Sequence, residues 1–289
     1  MNHIASVFNQ PEHKALIPYV TVGYPSIEAT LKVVPILAQS GCDIVELGIP
    51  FSDPLADGVT IQKASLRALQ NGVTPNLCLE VAKQLSHEVD IPLVFMSYFN
   101  PVFRYGVEEF CSACASSGVS GLIIPDLPPE EGSKLEASTQ KQGLDLIYLL
   151  APTSTEERIS LVAERSQGFI YLVSVAGVTG VRGNLPPGLK AFVAKVRPVA
   201  TQPLCVGFGI STTEQARQVA RIADGVIVGS RIIQYMETDE PMTKIADFAR
   251  ELRHAIDHTE RRLSPNGIQD FNPQGKPHRK KSGYSGGTH

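Results

Sequence analysis

The stretch Ser40-Gly41-Cys42-Asp43-Ile44-Val45 ends one helical pattern with a glycine and opens an apolar run, and Ser117-Gly118-Val119-Ser120-Gly121-Leu122 repeats the arrangement. Glycine is the usual residue just past the last turn of a helix, where the backbone becomes left-handed. A helix that leads at once into an apolar strand is typical of sheets whose strands are joined by helices. The repeated unit therefore indicates an α/β protein with a parallel sheet.

The same alternation of strand and helix runs through most of the chain. Eight strand-like runs cover residues 16–22, 43–49, 91–97, 118–124, 144–150, 168–174, 203–208 and 224–228. Helical patterns separate them, and a last helix is predicted over residues 242–262. Strands that are nearly continuous in Val, Ile and Leu indicate a parallel sheet covered by helices. Eight such units favour a closed (β/α)8 TIM barrel over an open sheet, which usually has fewer strands.

Length and composition agree with a single barrel domain and exclude several classes of protein. The chain has 289 residues, of which 43% are hydrophobic and 19% charged, and its net charge is −3 with a pI near 6.2. This composition supports a sizeable core and argues against a basic nucleic-acid-binding protein. No apolar run approaches the ~20 residues that span a bilayer, and residues 1–10 lack the apolar core of a signal peptide. We therefore expect a soluble protein without membrane contact.

The five cysteines are an odd number in a long chain, which argues against a disulfide framework and for a reducing cytoplasm. Cys111 and Cys114 form a C-x-x-C motif, but they lie inside a helical pattern over residues 107–117. No second pair of Cys or His stands where a zinc site would need one. We therefore interpret both as buried helix residues, rather than as a redox or metal site.

Residues 263–289 have a different composition from the barrel domain, which we assign to residues 1–262. Eleven of these 27 residues are Gly, Pro or Ser, and the segment carries a net charge of +3. Such a segment cannot bury enough apolar surface to offset its ordering entropy, so we predict a disordered C-terminal tail. A solvated extension is favoured over an arm that binds an anionic partner.

The strongest indication of chemistry lies in residues 45–58, which cover most of the second predicted strand and the loop after it. Catalytic side chains of a (β/α)8 barrel lie at the C-terminal ends of the strands. Alternation along the strand puts Glu46 on the face opposite the aliphatic Val45 and Leu47. Glu46 is therefore expected to point into the barrel mouth, where desolvation raises a carboxyl pKa toward acid/base catalysis. A carboxylate satisfied by a polar group of a neighbouring strand explains the pattern equally well.

Three further acids follow predicted strands. Asp53 and Asp57 lie on the loop after Glu46, and Asp126 follows the fourth strand. The loop could fold back over the mouth and bring Asp57 toward Glu46, although a solvated loop acid is the simpler interpretation of Asp57. Asp53 precedes a proline and can shape a turn. Several prolines around Asp126 favour a structural role for that residue.

Glycine-rich turns after the sixth, seventh and eighth predicted strands indicate a phosphate site. They are Gly177-Val178-Thr179-Gly180, Gly207-Phe208-Gly209-Ile210-Ser211 and Val228-Gly229-Ser230. Glycine lets backbone N–H groups approach an anion closely, and helix N-termini add a favourable dipole. The loops after the seventh and eighth strands are the recurrent phosphate site of this fold.

Residue types that are missing from the strand ends narrow the class of reaction. No lysine stands there, which argues against Schiff-base chemistry, and the histidines lie on termini, helices or the tail, which argues against a catalytic metal. Carboxylate acid/base catalysis on a phosphorylated small molecule remains. Apolar and aromatic residues near the strand ends indicate that the rest of the substrate is hydrophobic. They are Tyr19, Met96, Tyr98, Tyr171 and Phe208.

Taken together, these motifs resemble the tryptophan synthase alpha chain family. The resemblance lies in residues 18–23, 45–58, 72–75, 177–180 and 207–211, and it extends over about residues 1–260. It implies the (β/α)8 barrel and a lyase activity. The implied reaction is retro-aldol cleavage of indole-3-glycerol phosphate to indole and D-glyceraldehyde 3-phosphate, in the last steps of L-tryptophan biosynthesis.

The resemblance also implies roles for matching residues. Glu46 would be the proton shuttle and Asp57 the partner of the indole N–H. The substrate-binding residues would be Tyr19, Tyr98, Tyr171, Thr179, Gly180, Phe208, Gly209, Gly229 and Ser230. Tyr19 stands where the family usually has Phe, so its hydroxyl needs an explanation. The loop at residues 174–177 lacks the polar or charged residue of some members, which leaves its closure open.

The resemblance further implies a protein partner. In the family, a pyridoxal-phosphate beta chain condenses the indole with L-serine in an α2β2 tetramer, so no cofactor is expected in this chain. Two alternatives stay open: a free-standing indole-3-glycerol phosphate lyase without a beta partner, and a barrel that binds phosphorylated ligands without catalysis. Glu46 and Asp57 together argue against the second, because phosphate binding needs no carboxylates.

Overall fold

Nine parallel strand segments form one sheet in the computed structural model, which describes residues 3–10, 12–174, 185–207 and 209–259. The segments are β1 (Ala15–Thr21), β2 (Val45–Gly48), β3 (Leu93–Met96), β4 (Val119–Ile123), β5 (Asp145–Ile147), β6 (Leu149–Leu150), β7 (Ile170–Val173), β8 (Leu204–Gly207) and β9 (Gly225–Val228). Their order in the sheet is β5-β4-β3-β2-β1-β9-β8-β7-β6. Each predicted strand run therefore contains at least one observed segment.

The two ends of this sheet belong to one strand that is interrupted at Tyr148. Segments β5 and β6 lie on either side of this residue, and they occupy opposite ends of the strand order. The Tyr148 carbonyl accepts a hydrogen bond from the Tyr171 N–H at 3.0 Å, and its own N–H donates to the Ser166 hydroxyl at 3.1 Å. Counted as one strand, β5 and β6 bring the sheet round on itself. The predicted (β/α)8 barrel is confirmed.

Helices surround the sheet, as a parallel sheet buried on both faces requires. They are α1 (His3–Val7), α2 (Ile27–Gln39), α3 (Val59–Gln70), α4 (Pro75–Leu85), α5 (Phe99–Tyr105), α6 (Val107–Ser116), α7 (Ser133–Gln142), α8 (Glu156–Arg165), α9 (Leu189–Val196), α10 (Thr213–Ala220), α11 (Ser230–Tyr235) and α12 (Pro241–Asp257), with a 3₁₀ turn at Pro129–Glu131. Helices α2, α4, α8 and α10 begin at a Ser or Thr whose hydroxyl accepts a hydrogen bond from a first-turn N–H. None of the helices in the described ranges is both long and apolar enough to cross a membrane.

Three of these helices were not predicted from the sequence. Helices α1, α5 and α11 contain 5, 7 and 6 residues. Segments of this length span two turns or fewer, so they show no clear 3.6-residue period. The last predicted helix begins one residue earlier than expected, as α12, and residues 260–262 of that prediction lie outside the described residues, as does the predicted tail.

The helix-end glycines adopt the backbone conformation that the sequence indicates. Gly41 has φ +90° and Gly118 has φ +76°, values that favour glycine. A methyl group on Gly118 would also come within 2.4 Å of the Ser86 Cβ. These positions turn each chain segment from the end of a helix into the next strand.

The cysteines follow the interpretation made from the helical pattern. Cys111 and Cys114 are both buried on α6, where they belong to the hydrophobic core. Burial raises the pKa of the Cys111 thiol to about 11, so this thiol stays protonated at neutral pH. The prediction that the C-x-x-C motif consists of buried helix residues is confirmed.

Candidate active site

A cavity of about 930 Å³ lies where the C-terminal ends of the strands meet. This volume is in the range of small-molecule sites. The cavity brings together seven of the residues predicted for the site: Tyr19, Glu46, Asp57, Tyr171, Gly209, Gly229 and Ser230. Thr179, Gly180 and Phe208, which were also predicted, lie outside the described residues.

Glu46 lies in the cavity wall with no exposed surface. It stands on β2 opposite Tyr19 of β1 and Val94 of β3. Neither carboxyl oxygen has a hydrogen-bond partner among the described residues, so no neighbouring polar group satisfies it there. Burial raises the pKa of Glu46 to about 8. The group therefore holds a proton at neutral pH and can both give one and take one back.

Asp57 reaches the same cavity because its loop folds back and is held by Tyr98. The Tyr98 hydroxyl donates to Asp57 Oδ2 at 3.1 Å and accepts from the Ala56 N–H at 2.9 Å. The Phe51 ring stacks on Tyr98 with 5.2 Å between the centroids. The structure thus places Tyr98 beside the loop as its anchor, and not among the residues that line the cavity.

The second oxygen of Asp57 is available to a ligand. Asp57 Oδ1 is buried and has no hydrogen-bond partner among the described residues. Burial raises the pKa of Asp57 to about 6, and the hydrogen bond from Tyr98 opposes this rise. Asp57 is therefore mostly ionised at neutral pH, and its free oxygen can accept a hydrogen bond from an N–H group.

The rings of Tyr19 and Tyr171 each cover a glycine of the neighbouring strand. A methyl group on Gly48 would lie 2.0 Å from the Tyr19 hydroxyl oxygen, and one on Gly207 would lie 2.2 Å from the Tyr171 hydroxyl oxygen. Only glycine leaves room for these rings. Alternation along the strand puts Gly48 on the same face as Glu46, but the role of Gly48 leaves no local pattern, because the contact joins two strands.

The Tyr19 hydroxyl has a partner within its own strand. It accepts a hydrogen bond from the Thr21 hydroxyl at 3.3 Å. Burial, followed by the charge of Asp57, raises the pKa of Tyr19 far above its ordinary value. Tyr19 is therefore a neutral phenol that can still donate its proton in a hydrogen bond. This contact gives the buried Tyr19 hydroxyl a hydrogen-bond partner.

We predict that Gly48→Ala lowers the free energy of unfolding by about 1–3 kcal/mol, because the added methyl group overpacks the interior against the Tyr19 ring. Gly58→Ala is the matched control, since nothing lies within 4 Å of a methyl group there, and its effect is expected to stay within about 0.5 kcal/mol. Urea unfolding of the two variants measures the difference. Equal effects would show that the Tyr19 ring moves aside freely.

The remaining acids have the local roles that their proline neighbours favour. Asp126 Oδ1 accepts a hydrogen bond from the Phe99 N–H at 2.8 Å, which holds the start of α5. Asp53 is exposed and accepts a hydrogen bond from the adjacent Ser52 hydroxyl at 2.5 Å. The lining residues that the sequence did not indicate include Arg158 of α8, the one cation of the described lining. It lies on a helix beyond the strand end, so the pattern of residues at the strand ends does not indicate it.

Gly209, Gly229 and Ser230 line the cavity on the side of β8 and β9. Gly209 has φ +77°, a conformation that favours glycine. Gly229 precedes α11, and Ser230 is the first residue of that helix. In the strand order, β1 separates these elements from β2. The candidate phosphate side therefore lies beside the strands that carry Tyr19 and Tyr171, and β1 separates it from Glu46 on β2.

Comparison with known proteins identifies relatives of this chain over most of its length. Residues 6–260 match a family model described as Tryptophan synthase alpha chain. The chain is 58% identical to the tryptophan synthase alpha chain of Dehalococcoides mccartyi, over 89% of this chain and 100% of that protein. It is 45% identical to that of Geobacter sulfurreducens, over 89% of this chain and 99% of that protein.

Solved structures show the same relationship. The chain is similar to the tryptophan synthase subunit alpha from Legionella pneumophila, with a TM-score of 0.82 and 37% identity over 89% of this chain and 99% of that one. It is also similar to a chain of Mycobacterium tuberculosis tryptophan synthase, with a TM-score of 0.82 and 38% identity over 89% and 98% of the two chains.

Proposed function

The chain belongs to the tryptophan synthase alpha chain family, and from this premise we propose that it cleaves indole-3-glycerol phosphate with Glu46 as the proton shuttle. Family membership makes it a lyase of tryptophan biosynthesis and an alpha subunit. The observation that carries the residue assignment is Glu46 itself: a fully buried carboxyl group in the cavity wall, whose oxygens have no partner among the described residues.

Glu46 can serve two proton transfers in turn. The indole carbon that bears the side chain must first gain a proton, and the protonated carboxyl group, with a pKa of about 8, can supply it. The resulting carboxylate then takes the proton of the glycerol hydroxyl as the carbon–carbon bond breaks. The bonding electrons return to the ring, indole and D-glyceraldehyde 3-phosphate form, and Glu46 ends protonated as it began.

Asp57 is proposed to stabilise the intermediate of this reaction. Protonation of the indole carbon leaves a positive charge that extends to the ring nitrogen. Asp57 Oδ1 can accept a hydrogen bond from that N–H, while Tyr98 holds Oδ2. A fixed carboxylate in a water-poor site stabilises a developing cation strongly. The two acids thus have different tasks because their pKa values differ.

The rest of the cavity suits the two ends of the substrate. We assign Tyr19 and Tyr171 to the indole ring, and Gly209, Gly229 and Ser230 to the phosphate. Thr179, Gly180 and Phe208 complete this proposal through the family resemblance alone. The supporting observation is that one continuous cavity contains both the tyrosine wall and the glycine-lined side.

Direct assay of indole release from indole-3-glycerol phosphate tests the reaction. The isolated chain is expected to release indole, and a beta chain is expected to raise the rate. Binding of glycerol 3-phosphate without any cleavage, with or without a beta chain, would instead indicate a barrel that only binds phosphorylated ligands. A high rate that no beta chain changes would indicate a free-standing lyase.

A beta chain is the partner of this family, and we propose an α2β2 complex in which the beta chain carries pyridoxal phosphate. The described part of the cavity wall contains no lysine that could bind this cofactor as a Schiff base. Three large apolar side chains are exposed on the segments that follow β2 and β3: Leu55 (93%), Val59 (66%) and Phe103 (64%). Leu55 and Val59 lie on either side of Asp57 and Gly58 of the cavity lining in the sequence. Exposed apolar surface on these segments supports a protein interface there.

We predict that Phe103→Glu weakens beta-chain binding by about tenfold or more, since a buried unpaired charge at an interface is costly. Leu66→Glu is the matched control, because Leu66 is similarly exposed (57%) but lies in the second half of α3. Calorimetric titration of each variant with a beta chain measures both affinities. Unchanged affinity for Phe103→Glu would place the interface elsewhere.

A further inference from the structure

Acidic side chains outnumber cations in the described cavity lining. It includes Glu46, which holds a proton at neutral pH, together with Asp57 and Asp126, and Arg158 is the one cation of that lining. The ionised carboxylate of Asp57 repels a substrate with a phosphate dianion on its way in. We propose that Arg158 is the residue that captures the phosphorylated substrate at the mouth, an inference that rests on the proposed function.

The guanidinium of Arg158 is held in place by Glu130. Arg158 lies in the first turn of α8, and its Nη1 is 2.7 Å from Glu130 Oε2 in the 3₁₀ turn. Arg165, on the same helix, donates to the carbonyl of Pro129 at 2.7 Å and so fixes that turn. The Arg158 side chain is 33% exposed and that of Glu130 53% exposed. The cation is therefore positioned at the mouth but remains accessible to an incoming anion.

The order of the strands places Arg158, which captures the substrate, apart from the residues proposed to bind its phosphate group. Arg158 follows β6, whereas Gly209 follows β8, and Gly229 and Ser230 follow β9. Neighbouring strands are ~4.8 Å apart, so the elements that carry Arg158 and Gly209 are separated by roughly 10 Å along the sheet. Arg158 therefore acts on the dianion mainly through space. Arg158 should therefore affect the affinity for the substrate and the dependence of that affinity on salt, and not the rate of the chemical step.

Arg158→Gln tests this role in the full-length chain. We expect the Kd of glycerol 3-phosphate, an uncleavable probe, to rise about three- to tenfold at low ionic strength. The KM for indole-3-glycerol phosphate should rise equally, while kcat stays within about twofold. High salt should shrink the difference between the variant and the original chain. Arg250→Gln, which removes the same charge from an exposed ion pair with Asp247 on α12, outside the described cavity lining, is the control and should leave the Kd unchanged.

Glu130→Gln separates capture from a merely structural ion pair. If Arg158 captures the anion, removal of its counter-charge should lower the Kd of glycerol 3-phosphate, which is opposite to the effect of Arg158→Gln. Equal losses in both variants, or no change of Kd in Arg158→Gln at low salt, would overturn the proposal. Arg158-dependent binding of glycerol 3-phosphate by a chain that cleaves no indole-3-glycerol phosphate would support capture and refute only the proposed reaction.

Discussion

Glu46→Gln is expected to lower the rate of indole release by about a thousandfold or more, because both proposed proton transfers use this side chain and each is worth about 10²–10⁴. The amide has nearly the same size, so the cavity keeps its shape. Binding of glycerol 3-phosphate should stay within a few-fold, since the proposed phosphate side lies on β8 and β9 and not on β2. Steady-state assay of indole release, together with calorimetry, measures both quantities. Turnover retained in this variant would remove Glu46 from the mechanism.

A stability measurement tests the state of Glu46 without any substrate. Its pKa is about 8 in the folded chain, against 4.5 for an unperturbed group. The folded state therefore keeps a proton that the unfolded state loses, so this contribution to stability is complete below pH 4.5 and is lost as the pH rises toward about 8. The loss is on the order of 5 kcal/mol at most. Glu46→Gln should abolish this part of the pH dependence in urea unfolding. If the variant and the original chain showed the same dependence of stability on pH, Glu46 would not be a buried group with a raised pKa.

Asp57→Asn is expected to lower kcat/KM for indole-3-glycerol phosphate by about 10²–10³, because the neutral amide no longer stabilises the positive charge on the indole ring. The original chain should show a bell-shaped pH profile. Activity should rise as Asp57 ionises near pH 6 and fall as Glu46 loses its proton near pH 8. Asp57→Asn should lose the acid limb and keep the alkaline one.

Tyr98→Phe provides the control for Asp57→Asn, because it removes the anchor while leaving the carboxylate. The hydrogen bond from Tyr98 lowers the pKa of Asp57, so its loss should move the acid limb to higher pH. The loss of rate should be smaller than in Asp57→Asn, about tenfold for one charge-assisted hydrogen bond. If Asp57→Asn changed only the affinity for glycerol 3-phosphate, the assignment of Asp57 to the indole ring would be wrong.

Short-range patterns in the chain were sufficient to predict the barrel. The helix-end glycines Gly41 and Gly118, and the near-continuous apolar strands, depend on backbone conformation and side-chain period within a few residues. The inward orientation of Glu46 follows from the same period, because alternate side chains of a strand face opposite sides. The resemblance to the family then implied the reaction and the role of each acid. Periodicity alone does not contain this information.

Contacts between distant segments could not be read from these patterns. Asp57 reaches the cavity because Tyr98, 41 residues later, holds its loop. Gly48 is required by a ring on the neighbouring strand, and Arg158 meets Glu130 across 28 residues of chain. The local sequence thus determined which residues form strands and which side faces inward, since those depend on neighbouring dihedral angles. Only the closed barrel decided which side chains share one cavity and what their pKa values are, because burial and charge act through space.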